Sequence, residues 1–237
     1  MKEKRQKTLT NSCCEVEPRG IPKEIEKKAN GITEMVFVLD ASGSMEGLEK
    51  DTIGGFNSMI AKQKKLDGKA FVTTVLFSFT ARTLHDRLSL EKIEPLTEKD
   101  YEVGGGTALY DAVGSTIKHI KNIHKYIRKE DLPSHTIFVI TTDGYENASR
   151  EFSRDKVKQM IENAKQNMGW EFVFLGANID AVETAEEIGI SADRAVNYDV
   201  EHSTDKMYQC LGSMIDEVRI TGGIPIKWAK DIDTKDK

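Results

Sequence analysis

The sequence predicts an α/β fold built on one doubly wound, mostly parallel central sheet, with one antiparallel edge strand and helices on both faces. Three observations predict it. Runs such as MVFVL (35–39), TIFVI (136–140) and WEFVFLGA (170–177) are apolar almost throughout, so both faces of those strands are covered. Helix-length stretches with apolar residues at helical spacing lie between them, giving the strand–helix alternation of a parallel sheet. One connection, between residues 79 and 82, is too short for a parallel crossover, so the strand after it must pair antiparallel.

The elements follow in order. Residues 1–32 form an N-terminal tail, polar and unperiodic to about residue 20, and carry a short helix over 22–30. Pro22 occupies that helix's first position and Gly31 lies just past its end. MVFVLD (35–40) is the first strand, and 47–65 a helix burying Ile53, Phe56 and Ile60. AFVTTVLFSF (70–79) is the second strand, and RTLHDRLSL (82–90) the more exposed antiparallel one. GGGT (104–107) leads into a helix over 108–128, with Leu109, Val113, Ile117, Ile120, Ile123 or His124, and Ile127 as its buried stripe. TIFVITT (136–142) is a strand closed by Asp143 and Gly144. Ser153 caps a helix burying Val157, Met160, Ile161 and Ala164, which Gly169 ends. WEFVFLGA is the fifth strand, a short helix runs from Asp180 to Gly189, AVNYD (195–199) is the last strand and 203–220 the last helix. Residues 33–222 make up the domain, and 223–237 a C-terminal tail.

Composition narrows the function. A net charge of -5 and a pI near 5.7 leave no electrostatic footprint for nucleic acid. The longest apolar runs are strand-sized, too short to span a bilayer, and the basic start MKEKRQKTLTNSCC has no apolar stretch behind it, so a cytoplasmic protein is expected. Cys13 and Cys14 are adjacent and Cys210 stands alone, which is neither a disulfide framework nor a CxxC metal pair. His119 and His124 are five apart, not the i,i+4 spacing of a helical zinc pair, and read as helix-surface residues.

The chemistry gathers at strand ends. Asp40 ends the first strand, with Ser42 and Ser44 immediately after it, and Asp143 ends the fourth. In a doubly wound sheet those two strands are neighbours where the order switches direction, the place where such sheets bind ligands. The GGGT loop brings Thr107 to the same edge. Five oxygen side chains with no nitrogen or sulfur suit a hard cation, Mg2+ or else Mn2+ or Ca2+. Taken singly, the serines read as helix caps and Asp143 as a turn residue. Together they favour a metal that balances Asp40, whose burial unpaired costs several kcal/mol.

DASGS, followed by the isolated Thr107 and then Asp143, resembles the metal-ion-dependent adhesion site (MIDAS) of von Willebrand factor A (vWA) domains, and the element order is similar to that family from about residue 33 to 221. The resemblance implies that Ser42, Ser44 and Thr107 contact the metal, that Asp40 and Asp143 act largely through bound waters, and that a partner's carboxylate completes the site. With no signal peptide or disulfide pattern, the chain is more similar to stand-alone bacterial relatives, some of which work beside ATPases in assembling other proteins. The expected function is metal-dependent capture of an Asp or Glu of a partner protein, one associated with an ATPase assembly, with no nucleic acid and no membrane. Asn178 and Asp180, after the fifth strand, and Asn197 and Asp199, at the sixth, are candidate partner contacts at the rim, with loop and helix capping as their plainer role.

Two other functions compete. An acid after a first buried strand also begins metal-dependent hydrolases and phosphatases that use an aspartate nucleophile, but Ser42 stands where their second acid belongs. Neither serine lies in G-x-S-x-G or has a histidine placed as its base. A scaffold with an inert site is the remaining alternative.

Overall fold

The computed structural model describes residues 31–230 and 232. The helix expected over 22–30, and Cys13 and Cys14, lie outside them. In chain order the elements are β1 (Thr33–Asp40), α1 (Glu49–Gln63), β2 (Ala70–Phe77), β3 (Ala81–Ser89), α2 (Leu109–Tyr126), β4 (His135–Thr142), α3 (Arg154–Met168), β5 (Glu171–Gly176), α4 (Ala181–Glu187), β6 (Ala195–Asn197) and α5 (Val200–Thr221). They form a six-stranded sheet in the order β3-β2-β1-β4-β5-β6. Every pairing is parallel except β2 with β3. This is the expected doubly wound architecture, with its switch point between β1 and β4.

β1 shows why the strands are apolar throughout. Met35, Phe37 and Leu39 face one cluster with Phe56, Met59 and Ile60 of α1 and Leu211, Ile215 and Val218 of α5. Val36 and Val38 face the other, with Leu109, Val113 and Ile117 of α2 and Val157 and Ile161 of α3. Alternate residues go to opposite faces, and both faces are covered by helices. An edge-on contact of Phe37 with Phe56, centroids 5.3 Å apart, ties β1 to α1. No helix among the described residues is long and apolar enough to cross a membrane.

Three local expectations change. β2 stops at Phe77, and Phe79 stands in the turn to β3 with 64% of its surface exposed. The segment expected as a tail from 223 packs Ile224, Trp228 and Ile232 into the α1/α5 cluster, and the Trp228 indole donates to the Asp193 carbonyl at 3.1 Å. His124 is not a surface residue: its Nε2 lies 2.7 Å from Oε2 of Glu34, a carboxylate buried in β1. Arg87 donates to the same oxygen at 3.3 Å. It gets there through a bulge, since Val72 pairs with Leu88 and Thr74 with His85, leaving Asp86 and Arg87 opposite Thr73.

Adjacent glycines in α1 give opposite predictions. A Cβ on Gly55 would stand 2.0 Å from the buried Tyr208 ring of α5, whereas one on exposed Gly54 would meet nothing within 4 Å. Alanine is the better helix former by ~1 kcal/mol, but overpacking costs ~1–3 kcal/mol. Urea unfolding is therefore expected to show Gly54→Ala stabilised by up to ~1 kcal/mol. Gly55→Ala is expected to be destabilised by ~1–2 kcal/mol, and equal effects would mean that α1 and α5 do not meet at Gly55.

Candidate metal centre

Parallel pairing of β1 with β4 runs to Leu39 opposite Thr141, so Asp40 and Thr142 end their strands side by side. Asp40 is wholly buried. Its Oδ1 accepts from the Ser42 amide at 2.7 Å and its Oδ2 from the Thr142 hydroxyl at 2.6 Å. Its carbonyl accepts from the Tyr101 hydroxyl, and burial pushes that phenol's pKa up, keeping the proton on the donor.

Beyond Asp40 the chain turns through a short 3-10 helix, Gly43–Met45. The Ser42 and Ser44 hydroxyls lie 3.1 Å apart, and that of Ser44 donates to Asp143 Oδ1 at 2.5 Å. Backbone bonds from Gly43 to the Gly105 carbonyl (3.0 Å) and from Gly104 to the Ala41 carbonyl (2.9 Å) sew this turn to the glycine loop. Gly104 and Gly105 have φ of 154° and 85°, backbone that other residues rarely adopt, so these glycines set the loop's path.

Thr107 is brought to the site by the loop after β4. Asn147 accepts from the Thr107 amide through its side chain at 2.9 Å, and its own amide donates to the Thr107 carbonyl at 3.0 Å. Glu146 and Asp111 brace that loop in turn. The Glu146 carboxylate takes the amides of Tyr110, Ala148 and Ser149, and the Asp111 carboxylate those of Arg150, Glu151 and Phe152. Gly144 closes the arrangement. A Cβ there would stand 3.2 Å from the Ser44 hydroxyl and 3.3 Å from that of Thr107, in a space that both hydroxyls border.

The five expected residues thus converge on one place, from three separate stretches of chain. The electrostatics are those of carboxylates without a counter-charge. Burial holds the pKa of Asp40 above its ordinary value of 3.8, against the hydrogen bonds from Ser42 and Thr142, and Asp143 nearby adds to the rise. Burial raises Asp143 likewise, against the bond from Ser44. No lysine, arginine or histidine pairs with either among the described residues. Two buried carboxylates and three hydroxyls beside a space kept clear by glycine fit a hard divalent cation. Among the described residues no group of three His, Cys, Asp and Glu is placed to hold a metal, so such a cation needs the hydroxyls.

Thr142 and Asn147 are residues that sequence reasoning missed. Thr142 reads as one more buried strand residue, and Asn147 has its partner 40 positions upstream. The rim residues lie at this same edge, Asn178 and Asp180 after β5, Asn197 ending β6 and Asp199 just beyond it. Asp180 caps α4 by accepting from the Val182 and Glu183 amides at 3.1 and 3.0 Å. The Asn197 side chain accepts from the Ala181 amide at 2.9 Å. Asn178 holds a left-handed φ of 56°, and Asp199 is exposed between β6 and α5.

Asn147→Ala removes the side-chain acceptor that orients Thr107 and leaves the five candidate ligands in place. Outer partners of this kind are worth ~10–100-fold in metal affinity. Calorimetry with Mn2+ is expected to show at least ~10-fold weaker binding to Asn147→Ala, and unchanged affinity would remove Asn147 from the site.

Comparison with known proteins agrees with this architecture. A family model described as "VWA domain containing CoxE-like protein" matches residues 7–170, which is more than half of the chain. Among solved structures, the chain is similar to the vWF domain of the type V pili tip protein Mfa5 from Porphyromonas gingivalis, with a TM-score of 0.58 and 12% identity over 81% of this chain and 98% of that one. It is similar to a von Willebrand factor type A protein from Catenulispora acidiphila, with a TM-score of 0.51 and 15% identity over 77% of this chain and 42% of that one. It is also similar to proximal thread matrix protein 1 from the mussel byssus, with a TM-score of 0.52 and 14% identity over 77% and 46% of the two chains. That last structure has a zinc-occupied MIDAS motif. The chain thus spans less than half the length of the last two. No match was found among curated proteins. The chain belongs to the family of VWA domain containing CoxE-like proteins.

Proposed function

We propose that Asp40, Ser42, Ser44, Thr107 and Asp143 form a MIDAS that binds one divalent cation, Mg2+ or else Mn2+ or Ca2+, and through it captures an acidic side chain of a partner protein. The observation that carries this reading is the pair of buried carboxylates at adjacent strand ends, both pushed towards the protonated form, with no cationic side chain beside them among the described residues. A bound cation supplies the missing positive charge and a Lewis-acidic centre for an outside oxygen. On this reading the Ser42, Ser44 and Thr107 hydroxyls contact it, while Asp40 and Asp143 act mainly through water. Hydroxyl ligands are neutral, so the ion keeps much of its charge towards solvent. A carboxylate from outside then gains far more than a neutral group does.

The arrangement offers little to a hydrolase. The Ser42 and Ser44 hydroxyls bond to each other, and that of Ser44 to Asp143, with no histidine among these partners. The family resemblance supports the wider setting that we propose, a stand-alone bacterial protein working in the cytoplasm beside an ATPase-associated assembly.

The test uses capped peptides with a central glutamate or glutamine between serines. The glutamate peptide is expected to bind in Mg2+ and to be released by EDTA, and the glutamine peptide to bind in neither condition. Glutamate binding that survives EDTA would rule out the cation as the contact.

The pH dependence follows from the two carboxylates. A raised folded-state pKa means that the metal-free protein is stabilised by the proton at low pH. That contribution is lost as pH rises from the ordinary value of 3.8 through the raised ones. Protons and metal compete, so Mn2+ affinity is expected to tighten with pH across that window and then level off. The rise in Tm on adding Mn2+ is accordingly expected to be larger at pH 7.5 than at pH 4, close to the ordinary value. A rise that shrinks with increasing pH would place the cation elsewhere.

A further inference from the structure

We infer that Phe79 and Tyr145 are aromatic contact surfaces on either side of the cation, and that the partner segment they fit is a protein loop with an acidic residue between apolar neighbours. This rests on the carboxylate capture proposed above. Six large hydrophobic side chains are exposed among the described residues, and two of them stand on loops at the carboxyl edge: Phe79, 64% exposed, and Tyr145, 60% exposed. A scattered exposed hydrophobic needs no explanation, but a pair bracketing a ligand site does.

Both rings are held in place. Phe79 lies in the β2–β3 turn, and its ring rests on the loop that carries Thr107. A Cβ on Gly105 or Gly106 would stand 2.6 or 2.8 Å from that ring, so these glycines let it lie down with its other side in solvent. Tyr145 follows Asp143 by two residues, and its hydroxyl accepts from the Asp180 amide at 3.2 Å, which anchors it towards the β5 side. The sheet order puts the end of β1 between β2, which Phe79 follows, and β4, which Tyr145 follows. Neighbouring strands are ~4.8 Å apart, so the rings stand within one short peptide's reach of each other. A carboxylate that reaches the cation carries its neighbouring residues onto them.

Charge narrows the choice of neighbours. A cavity of about 440 Å³ opens beside Gly43 and is lined by Glu46, Glu49 and Glu98 with Lys50 as the one cation among them, which leaves its charge negative. These acids repel a second acidic residue next to the one that binds the metal. Anchored aromatic rings lose little freedom on contact and gain most from apolar side chains.

The experiment is an NMR titration of the Mg2+-loaded protein with three capped pentapeptides: glutamate between leucines, glutamate between serines, and glutamine between leucines. The leucine-flanked glutamate is expected to bind about tenfold tighter than the serine-flanked one, as burial of one Leu side chain allows. Phe79→Ser and Tyr145→Ser are each expected to reduce that preference at least threefold, with Mn2+ affinity by calorimetry unchanged. Equal binding of the two glutamate peptides, with glutamine inactive, overturns the aromatic inference and leaves carboxylate capture standing. Failure of both glutamate peptides overturns the capture reading and this inference with it. If Phe79→Ser disturbs the glycine loop and loses Mn2+, Tyr145→Ser decides alone, and a preference undiminished in that variant overturns the inference.

Discussion

Two carboxylates buried at the ends of neighbouring strands, with no cationic side chain among the described residues to meet them, are the constraint that the rest of this structure serves. A buried charge costs several kcal/mol unless it is paired or neutralised. The parallel register of β1 with β4 makes the problem unavoidable, because it ends Asp40 and Asp143 at one edge of the sheet. Hydrogen bonds from Ser42, Thr142 and Ser44 lessen the cost, but burial outweighs them at both acids. The space bordered by the Ser44 and Thr107 hydroxyls, which Gly144 keeps clear, is where we propose that the positive charge such a pair calls for is bound.

The surrounding loops then have a physical reason for their composition. The site's side chains reach the edge from three different stretches of chain, so those stretches must be tied to one another. Gly43 donates to the Gly105 carbonyl and Gly104 to the Ala41 carbonyl across the two loops, and Asn147 bonds to both the amide and the carbonyl of Thr107. Glu146 and Asp111 satisfy six backbone amides of the surrounding turns between them, which turns an irregular loop into a rigid support. The vWA fold supplies the switch point, and these side chains supply the site.

Much of this was legible in the residues. Apolar runs without alternation announced doubly covered strands, and the two-residue link after Phe79 announced the antiparallel edge, because both depend on local pattern. That these five oxygen side chains would meet at one edge was legible because a strand-ending acid followed by two serines, a glycine-rich loop and a second strand-ending acid fit one another better than they fit separate capping and turn roles. The contacts that escaped are long-range. Asn147 with Thr107, Glu34 with His124 and Arg87, and Trp228 with Asp193 join positions tens of residues apart, and each partner alone reads as a turn, surface or tail residue. The end of β2 was missed because Phe79 is as good a strand former as Phe77. What separates them is that the Phe79 ring lies on two glycines rather than in the core.

Anomalous diffraction from crystals grown in Mn2+ addresses the central claim most directly, since it locates the ion without reference to any partner. The account predicts one strong manganese peak at the carboxyl edge, within direct coordination distance of the Ser42, Ser44 and Thr107 hydroxyls and with Asp40 and Asp143 in contact with it or with its waters. A protein saturated with Mn2+ whose peak lies elsewhere, or whose Asp40 and Asp143 remain bonded to protein donors alone, would contradict it.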